Sequence, residues 1–551
     1  MRIVHPSLGK QKPPAIEKRV RNRRLWTKLR SVRTRRTAFD LLVGCPLQIL
    51  VFGFVTEANA QLIPLADETV VNTYTTGQQT APAVATDAVG NFIVVWESQP
   101  DPSSQSLAVR AQRFSATGAS VGEDFQIAAS SNQGGLAPDV AMSPDGSFVV
   151  TWREYDENSY PRIAARAFDS SGVPRGEPAF VDAEPEVGGF FDYNYYYGGA
   201  PAAAAGQQGE FVVVWSGGLR YLSYFGYSRY FSIRGRRLDA NGTPAGDEFH
   251  AGGSGFYWTA RPDIAEQAPG QFVVVWSEAS YEYGHDDSGN YIRIRDFDVR
   301  GRLLEQDGGL VSETFAVGLD GYRGPSVATD AFGNFVIAWP QFTDDTGYQV
   351  LARRFSANGT PTASAFRVDT GATGTTGRPT NAGDLGTRVA MTSDGHFAVV
   401  WSEGGTGYKG NSDGDAQGIF GRVYNPDGSP QSPETVVNAY TTGAQQAPSI
   451  VFNSDRSLVV TWQSENQDGS DSAIVERRFA PAAACGDATA DGQLSASDAL
   501  FALQAAVGIR VCAACICDVD QSGSVTVLDA LVILRIGLGD GSVDLTCPAC
   551  F

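Results

Sequence analysis

Seven apolar runs, each ending in tryptophan, recur along this chain, as in Phe92-Ile-Val-Val-Trp96 and Phe211-Val-Val-Val-Trp215, with a Thr before the Trp in two of them (Thr151 and Thr461). The tryptophans are Trp96, Trp152, Trp215, Trp276, Trp339, Trp401 and Trp462, spaced on average by 61 residues. A strand apolar at every position, rather than at alternate ones, must be covered on both faces. Around each run the same order returns: a Pro-led short strand, a Gly-containing turn, the Trp strand, a variable loop, an Arg-bearing third strand, a turn and a last strand. The fifth copy shows it in Pro325-Ser-Val-Ala328, Phe335-Val-Ile-Ala-Trp339, Val350-Leu-Ala-Arg-Arg-Phe355 and Ala365-Phe-Arg-Val368. Four antiparallel strands per unit, with none able to bury its faces alone, predict the blades of a β-propeller.

The ends of the repeat predict how the ring closes. The seventh copy stops after Phe479 without a fourth strand. Thr69-Val-Val-Asn-Thr-Tyr-Thr-Thr-Gly77 nearly repeats Thr435-Val-Val-Asn-Ala-Tyr-Thr-Thr-Gly443, which ends the sixth copy. Residues 68–72 are therefore expected to complete the last sheet and cover its edge. The expected fold is mainly β, a seven-bladed propeller closed by the N-terminal strand, followed by a small helical domain.

Composition adds compartment and boundaries. Residues 1–60 carry 13 Lys and Arg against 3 Asp and Glu, and an apolar stretch from Leu41 to Val55 leads to Ala58-Asn59-Ala60. Basic, then apolar, then small is the order of a secretory signal, here with a long basic part. About 15 apolar residues interrupted by Pro and Gln fall short of a membrane span, so no transmembrane segment is expected in the mature chain. The remaining 29 basic and 58 acidic residues give a net charge of −29, which repels nucleic acid and anionic lipid. The domains read as signal peptide 1–60, propeller 61–479, linker 480–484 and a cysteine-rich domain 485–551, extracellular or at the cell surface.

Two features break the sevenfold pattern in the propeller region. The loops of the third and fourth copies fill with aromatics: Tyr193, Tyr195, Tyr196, Tyr197, Tyr224, Tyr227, Tyr257, Trp258, Tyr281 and Tyr283. Flat apolar rings with polar edges suit sugars or protein partners; the alternative is that the long loops pack on one another. An Arg column in the third strands (Arg166, Arg236, Arg295, Arg353, Arg422, Arg477, with Gln112 in the first copy) repeats too regularly for a site and reads as scaffold. The acidic loops Asn411–Asp415 and Asp468–Asp471 read as turns.

The last domain carries a stronger signal. Two twelve-residue stretches, beginning at Asp487 and Asp518, place oxygen-bearing residues at loop positions 1, 3, 5, 7 and 12: Asp487, Thr489, Asp491, Gln493 and Asp498, then Asp518, Asp520, Ser522, Ser524 and Asp529. Position 6 is Gly in both, and an apolar helix follows each loop. That is an oxygen cage for a hard cation, so two Ca²⁺ sites are expected. Cys485, Cys512, Cys515, Cys517, Cys547 and Cys550 flank the loops. In an exported chain they read as up to three disulfides, with a Cys-x-x-Cys zinc site as the alternative.

These paired loops, Asp-x-x-x-Asp-Gly in the first and Asp-x-x-x-Ser-Gly in the second, resemble with their helices the dockerin type I module over residues 485–540. The resemblance implies two calcium-loaded loop–helix units that plug into a cohesin-like protein, with Ala496, Ser497, Val527 and Leu528 at the positions that select the partner. The Trp repeat is similar, more loosely, to propeller-forming repeats of bacterial secreted proteins. No Gly-x-Ser-x-Gly, His-Glu-x-x-His or phosphate-loop motif is present. The sequence therefore favours a non-catalytic binding or adhesion protein presenting a glycan or protein ligand surface. The alternative is an extracellular propeller glycoside hydrolase or polysaccharide lyase, which paired inward carboxylates in one deep pocket would favour.

Overall fold

The computed structural model describes residues 62–99, 106–130, 135–155, 161–183, 199–206, 209–223, 226–255, 258–285, 291–319, 324–343, 347–370, 386–404, 413, 415–480, 486–488, 494–509, 512, 514–539 and 545. At several strand ends it defines the backbone alone. By its contacts the chain divides after Thr56. Residues 1–56 lie outside the described residues, and with them the apolar stretch expected of a signal; so does the expected cleavage site at Ala60.

The second unit is built mainly of β-strands. Each Trp strand is the second member of an antiparallel group: Phe92–Gln99, Phe148–Tyr155, Phe211–Ser223, Gln271–His285, Phe335–Thr343, Phe397–Gly404 and Leu458–Glu465. All seven tryptophans are buried, none more than 1% exposed. Second and third strands are also clasped by stacked rings, Phe92 on Phe114, Phe148 on Phe168, Phe335 on Phe355 and Phe397 on Tyr424, with centroids 4.7–5.0 Å apart. Full burial of such rings is the main drive for stacking one group on the next.

The seventh group is completed from the other end of the unit. Thr69 and Val70 pair with Glu476 and Val475, and Ile63 and Pro64 with Ala480 and Phe479. Val71 donates to the Ile474 carbonyl at 2.8 Å, as Val181 does to Ile163, Val368 to Val350 and Val437 to Ile419 in their own groups. Asn72 accepts from the Ile474 amide at 2.8 Å, the part played by Asp182 towards Ile163 and Asn438 towards Ile419. Residues 69–72 thus supply the fourth-strand pairing and bonds that the seventh copy lacks. The first strands touch in succession, and the seventh, Gln445–Phe452, touches the first, Gln78–Thr86.

Glycines keep the groups close. A Cβ on Gly252 or Gly318 would lie 2.4–2.5 Å from the rings of Trp276 or Trp339 in the next group, so a side chain there cannot be accommodated without displacing the indole.

The Arg column is scaffold in most copies. Arg236, for example, donates to the Gly246 carbonyl of its own group and to the Val181 carbonyl of the preceding one, both at 3.0 Å. In the fourth group the structure corrects the assignment. Arg302, opposite Val274, holds the column position and reaches the Ala251 carbonyl at 3.3 Å, whereas Arg295 lies opposite Tyr281 further along the hairpin. This hairpin has fifteen-residue strands, and Tyr291-Ile-Arg-Ile-Arg295 mimics the motif one stretch too early.

The C-terminal part adds three helices, α1 (Ala496–Ala506), α2 (Ala514–Cys517) and α3 (Val527–Gly537). Ala499 and Ala502 of α1 pack with Ala530 and Ile533 of α3, and Ile63 from the closing segment joins that cluster. Among the described residues no helix is long and apolar enough to cross a membrane.

Candidate functional site

At the axis the seven first strands converge on a cavity of about 170 Å³. It is lined by the start of every first strand, where a Pro occupies six of seven copies. The residue before that position has positive φ in six copies, including the non-glycines Ala81, Ala137, Arg261 and Ala447 at 44–53°. Left-handed backbone in such residues costs energy and concentrates at functional sites.

The residue after that position breaks the symmetry. Read from copy one to seven it is Ala83, Asp139, Ala202, Asp263, Ser326, Arg388 and Ser449. The sequence reading saw these strands only as rich in Ala and Val. Aligning the copies on the proline exposes two acids and one base in a column otherwise small.

Local structure fixes these acids. Asp139 Oδ2 accepts from the Ala203 amide at 2.8 Å. Asp263 accepts from Val327 at 2.9 Å and from Ile264 at 2.9 Å. Ser326 and Ser449 make the same bond to the next group, towards Val389 at 3.2 Å and Val84 at 3.3 Å. Burial, and next the charge of Asp263 against the bonds that favour ionisation, push Asp139 up to about 6. Burial likewise raises Asp263, opposed first by the Arg388 charge. Burial thus makes the protonated form of each acid more accessible than it is for a solvated carboxylate.

The aromatic surface takes a different form from the loops expected. In the third and fourth groups the second and third strands run on as long hairpins, Phe211–Ser223 with Gly226–Leu238 and Gln271–His285 with Tyr291–Glu305. Tyr227, Trp258, Tyr281 and Tyr283 therefore sit on strands, because the alternation of the sheet simply continues past the Trp. Tyr193, Tyr195, Tyr196, Tyr197, Tyr224 and Tyr257 lie outside the described residues. The acidic loops act as staples: Asp468 accepts from Asn72 at 2.9 Å and Asp413 from Asn438 at 2.6 Å.

In the C-terminal domain the second loop gathers its ligand atoms. Carboxylate oxygens of Asp518, Asp520 and Asp529 all lie within 4.8 Å of one another, with Asp518 and Asp529 fully buried. That spread matches a cation about 2.4 Å from each. Gly523, at φ +90°, and Ser522 turn their amides onto Asp518 at 2.8 and 2.9 Å. Asp529 doubles as the helix cap, accepting from Thr526 N at 2.7 Å; Asp498 plays that part for α1, through Ser495 N at 2.9 Å. Ser522 Oγ meets the Ser524 carbonyl at 3.1 Å, at loop positions 5 and 7. These residues fit Ca²⁺: no Lys or Arg ion-pairs the three acids among the described residues, and buried anions need a counter-charge. In the first loop Asp487 and Asp498 are buried, while Thr489, Asp491 and Gln493 lie outside the described residues.

Ala496, Ser497, Val527 and Leu528 are exposed at the starts of α1 and α3, Val527 and Leu528 by 57% and 63%. Cys512 is disulfide-bonded to Cys517, with Cα atoms 6.1 Å apart, which removes Cys512 from the zinc alternative. Of Cys515 the structure defines the backbone only, and Cys485, Cys547 and Cys550 lie outside the described residues.

No family model and no curated protein matches this chain. Among solved structures it is similar to a protein of unknown function from Dyadobacter fermentans DSM 18053, with 12% identity over 76% of this chain and 99% of that one, TM-score 0.39. It is also similar to the α-L-arabinofuranosidase arb93a of Fusarium graminearum in complex with an iminosugar inhibitor, with 11% identity over 76% and 98%, TM-score 0.36. An endo-arabinase from Bacteroides thetaiotaomicron VPI-5482 aligns with 12% identity over 55% and 98%, TM-score 0.24.

Proposed function

We propose that the chain is an extracellular glycoside hydrolase acting on polysaccharide, built on a closed seven-bladed propeller with its active site in the axial cavity. The observation that carries this reading is the pair Asp139 and Asp263, the two acids of a column otherwise small or basic, inside one cavity. Hydrolysis of a glycosidic bond needs one carboxylic acid to protonate the leaving oxygen and one carboxylate to act as base or nucleophile. Burial raises both groups, Asp139 to about 6, so that a protonated acid can stand beside an ionised one in mildly acid solution. The backbone amides that hold each group fix its orientation without consuming all its lone pairs.

Non-catalytic binding is the second reading, favoured by the staple bonds that these aspartates share with Ser326 and Ser449. Asp139→Asn and Asp263→Asn separate the two, because an amide oxygen still accepts the next blade's N–H while losing the acid. On a panel of chromogenic glycosides and polysaccharides, the hydrolase reading expects turnover in the wild type and a loss of at least about 100-fold in each variant, with melting temperature retained. Lack of turnover across the panel, or turnover indifferent to both substitutions, defeats it.

The C-terminal domain is proposed to hold two Ca²⁺ ions, one through Asp518, Asp520, Ser522, Ser524 and Asp529 and one through the corresponding residues from Asp487 to Asp498. The metal's part there is structural, tying each loop to its helix. The exposed Val527 and Leu528 suit docking to a cohesin-like partner.

A further inference from the structure

We propose that the axial cavity selects a carboxylate-bearing sugar, a uronate unit, through Arg388 and Arg261. This rests on the reading of that cavity as a sugar site and adds its specificity.

Symmetry points first to these two residues. Arg388 stands where the other copies have Ala, Asp or Ser, and Arg261 where they have Ala or Gly. A sevenfold scaffold has no need for an arginine in a single copy. Arg261 also holds a left-handed backbone, at φ +46°, that a glycine would adopt at lower cost. Both residues are exposed and line the cavity.

Electrostatics comes second. The charge of Arg388 is felt by both Asp139 and Asp263, yet it forms an ion pair with neither. Its hydrogen bond goes to the neighbouring Thr387 carbonyl at 3.1 Å. Most of the fork is thereby left for a planar anion, which an arginine binds bidentately. The two arginines set positive charge beside the acids of the lining, on a body whose net charge beyond residue 60 is −29. A long polyanion would be repelled by that body; a single acidic sugar in an otherwise neutral glycan would not.

Size comes third. A volume of about 170 Å³ is close to that of an engineered cavity of about 150 Å³ that takes up benzene, so one six-membered ring fits.

The test uses the mature chain, residues 61–551, titrated with methyl glucuronide and methyl galacturonide beside methyl glucoside and methyl galactoside, with acetate as a charge control. Binding is read by calorimetry or ligand-observed NMR. The expected result is that the uronides bind at least about 10-fold tighter than their neutral partners. Arg388→Ala should abolish that preference, and Arg388→Lys should restore part of it. Equal binding of charged and neutral sugars, an unchanged preference in Arg388→Ala, no binding of any probe, or acetate binding as tightly as the uronides would each overturn the inference. Uronide binding without turnover of any glycoside keeps the inference and removes the hydrolase reading. Asp139-dependent turnover confined to neutral glycosides does the reverse.

Discussion

Glu476 sits on the seam where the two ends of the ring meet, and its titration reports on that seam. It lies opposite Thr69 of the closing strand and Thr461 of the Trp strand, is 3% exposed, and its Oε2 is buried without a hydrogen-bond partner. Burial pushes it from 4.5 up to about 7, against the opposing charge of Arg478 and a bond from the Thr69 side chain. The folded protein therefore holds this proton more tightly than the unfolded chain. Stability from Glu476 is complete below about pH 4.5 and is lost as pH rises through about 7. The difference corresponds to roughly 3 kcal/mol at most. Glu476→Gln fixes the neutral form. Melting temperatures of the two proteins, taken in half-unit steps from pH 4.5 to 8.5, should nearly coincide at pH 4.5, draw apart progressively up to about pH 7 and stay apart above it, with the variant a few degrees higher. Asp139 and Asp182, both raised to about 6, slope the curves the same way in both proteins, so the difference isolates Glu476. Parallel curves across the range would refute the reasoning.

Other perturbations follow from the same contacts. Arg162→Ala strands Asp182, whose carboxylate lies 2.9 Å from Arg162 with both side chains at most 5% exposed; chemical denaturation should show a loss of about 3–5 kcal/mol. Gly318→Ala drives a methyl into Trp339 and should cost about 1–3 kcal/mol, visible as a lower midpoint in urea. Removing calcium with EDTA should lower the melting temperature of the full chain, and Asp529→Ala should reduce the bound calcium, measured by atomic emission, by one ion per chain. A full complement in that variant would overturn the assignment of the second loop.

The seven-copy organisation was legible because each Trp strand must be covered twice, and a continuous apolar run says so directly. The closing strand was legible for a different reason: Thr69–Gly77 repeats Thr435–Gly443, and a missing strand at one end matched a spare one at the other. Asp139, Asp263 and Arg388 were not read, because a single substitution within an Ala-rich strand carries no periodic signature; the fold turns that column into a site by bringing seven distant positions to one axis. Arg295 was misplaced because a longer hairpin moves the motif without moving the register. The extended Tyr-rich hairpins were read as loops because their many glycines and serines look like turn residues, although cross-strand pairing keeps them in the sheet.

The partnership of Val71 with Ile474 joins segments about four hundred positions apart, so loop-closure entropy must be met before that edge gives anything back. Completion of the last sheet is therefore slow by topology, and that sheet presents an unsatisfied edge until residues 62–72 return to it. A circular permutant that fuses residues 62–72 directly behind residue 480 would make the contact local, and refolding that accelerates many-fold would identify this junction as the rate-limiting event.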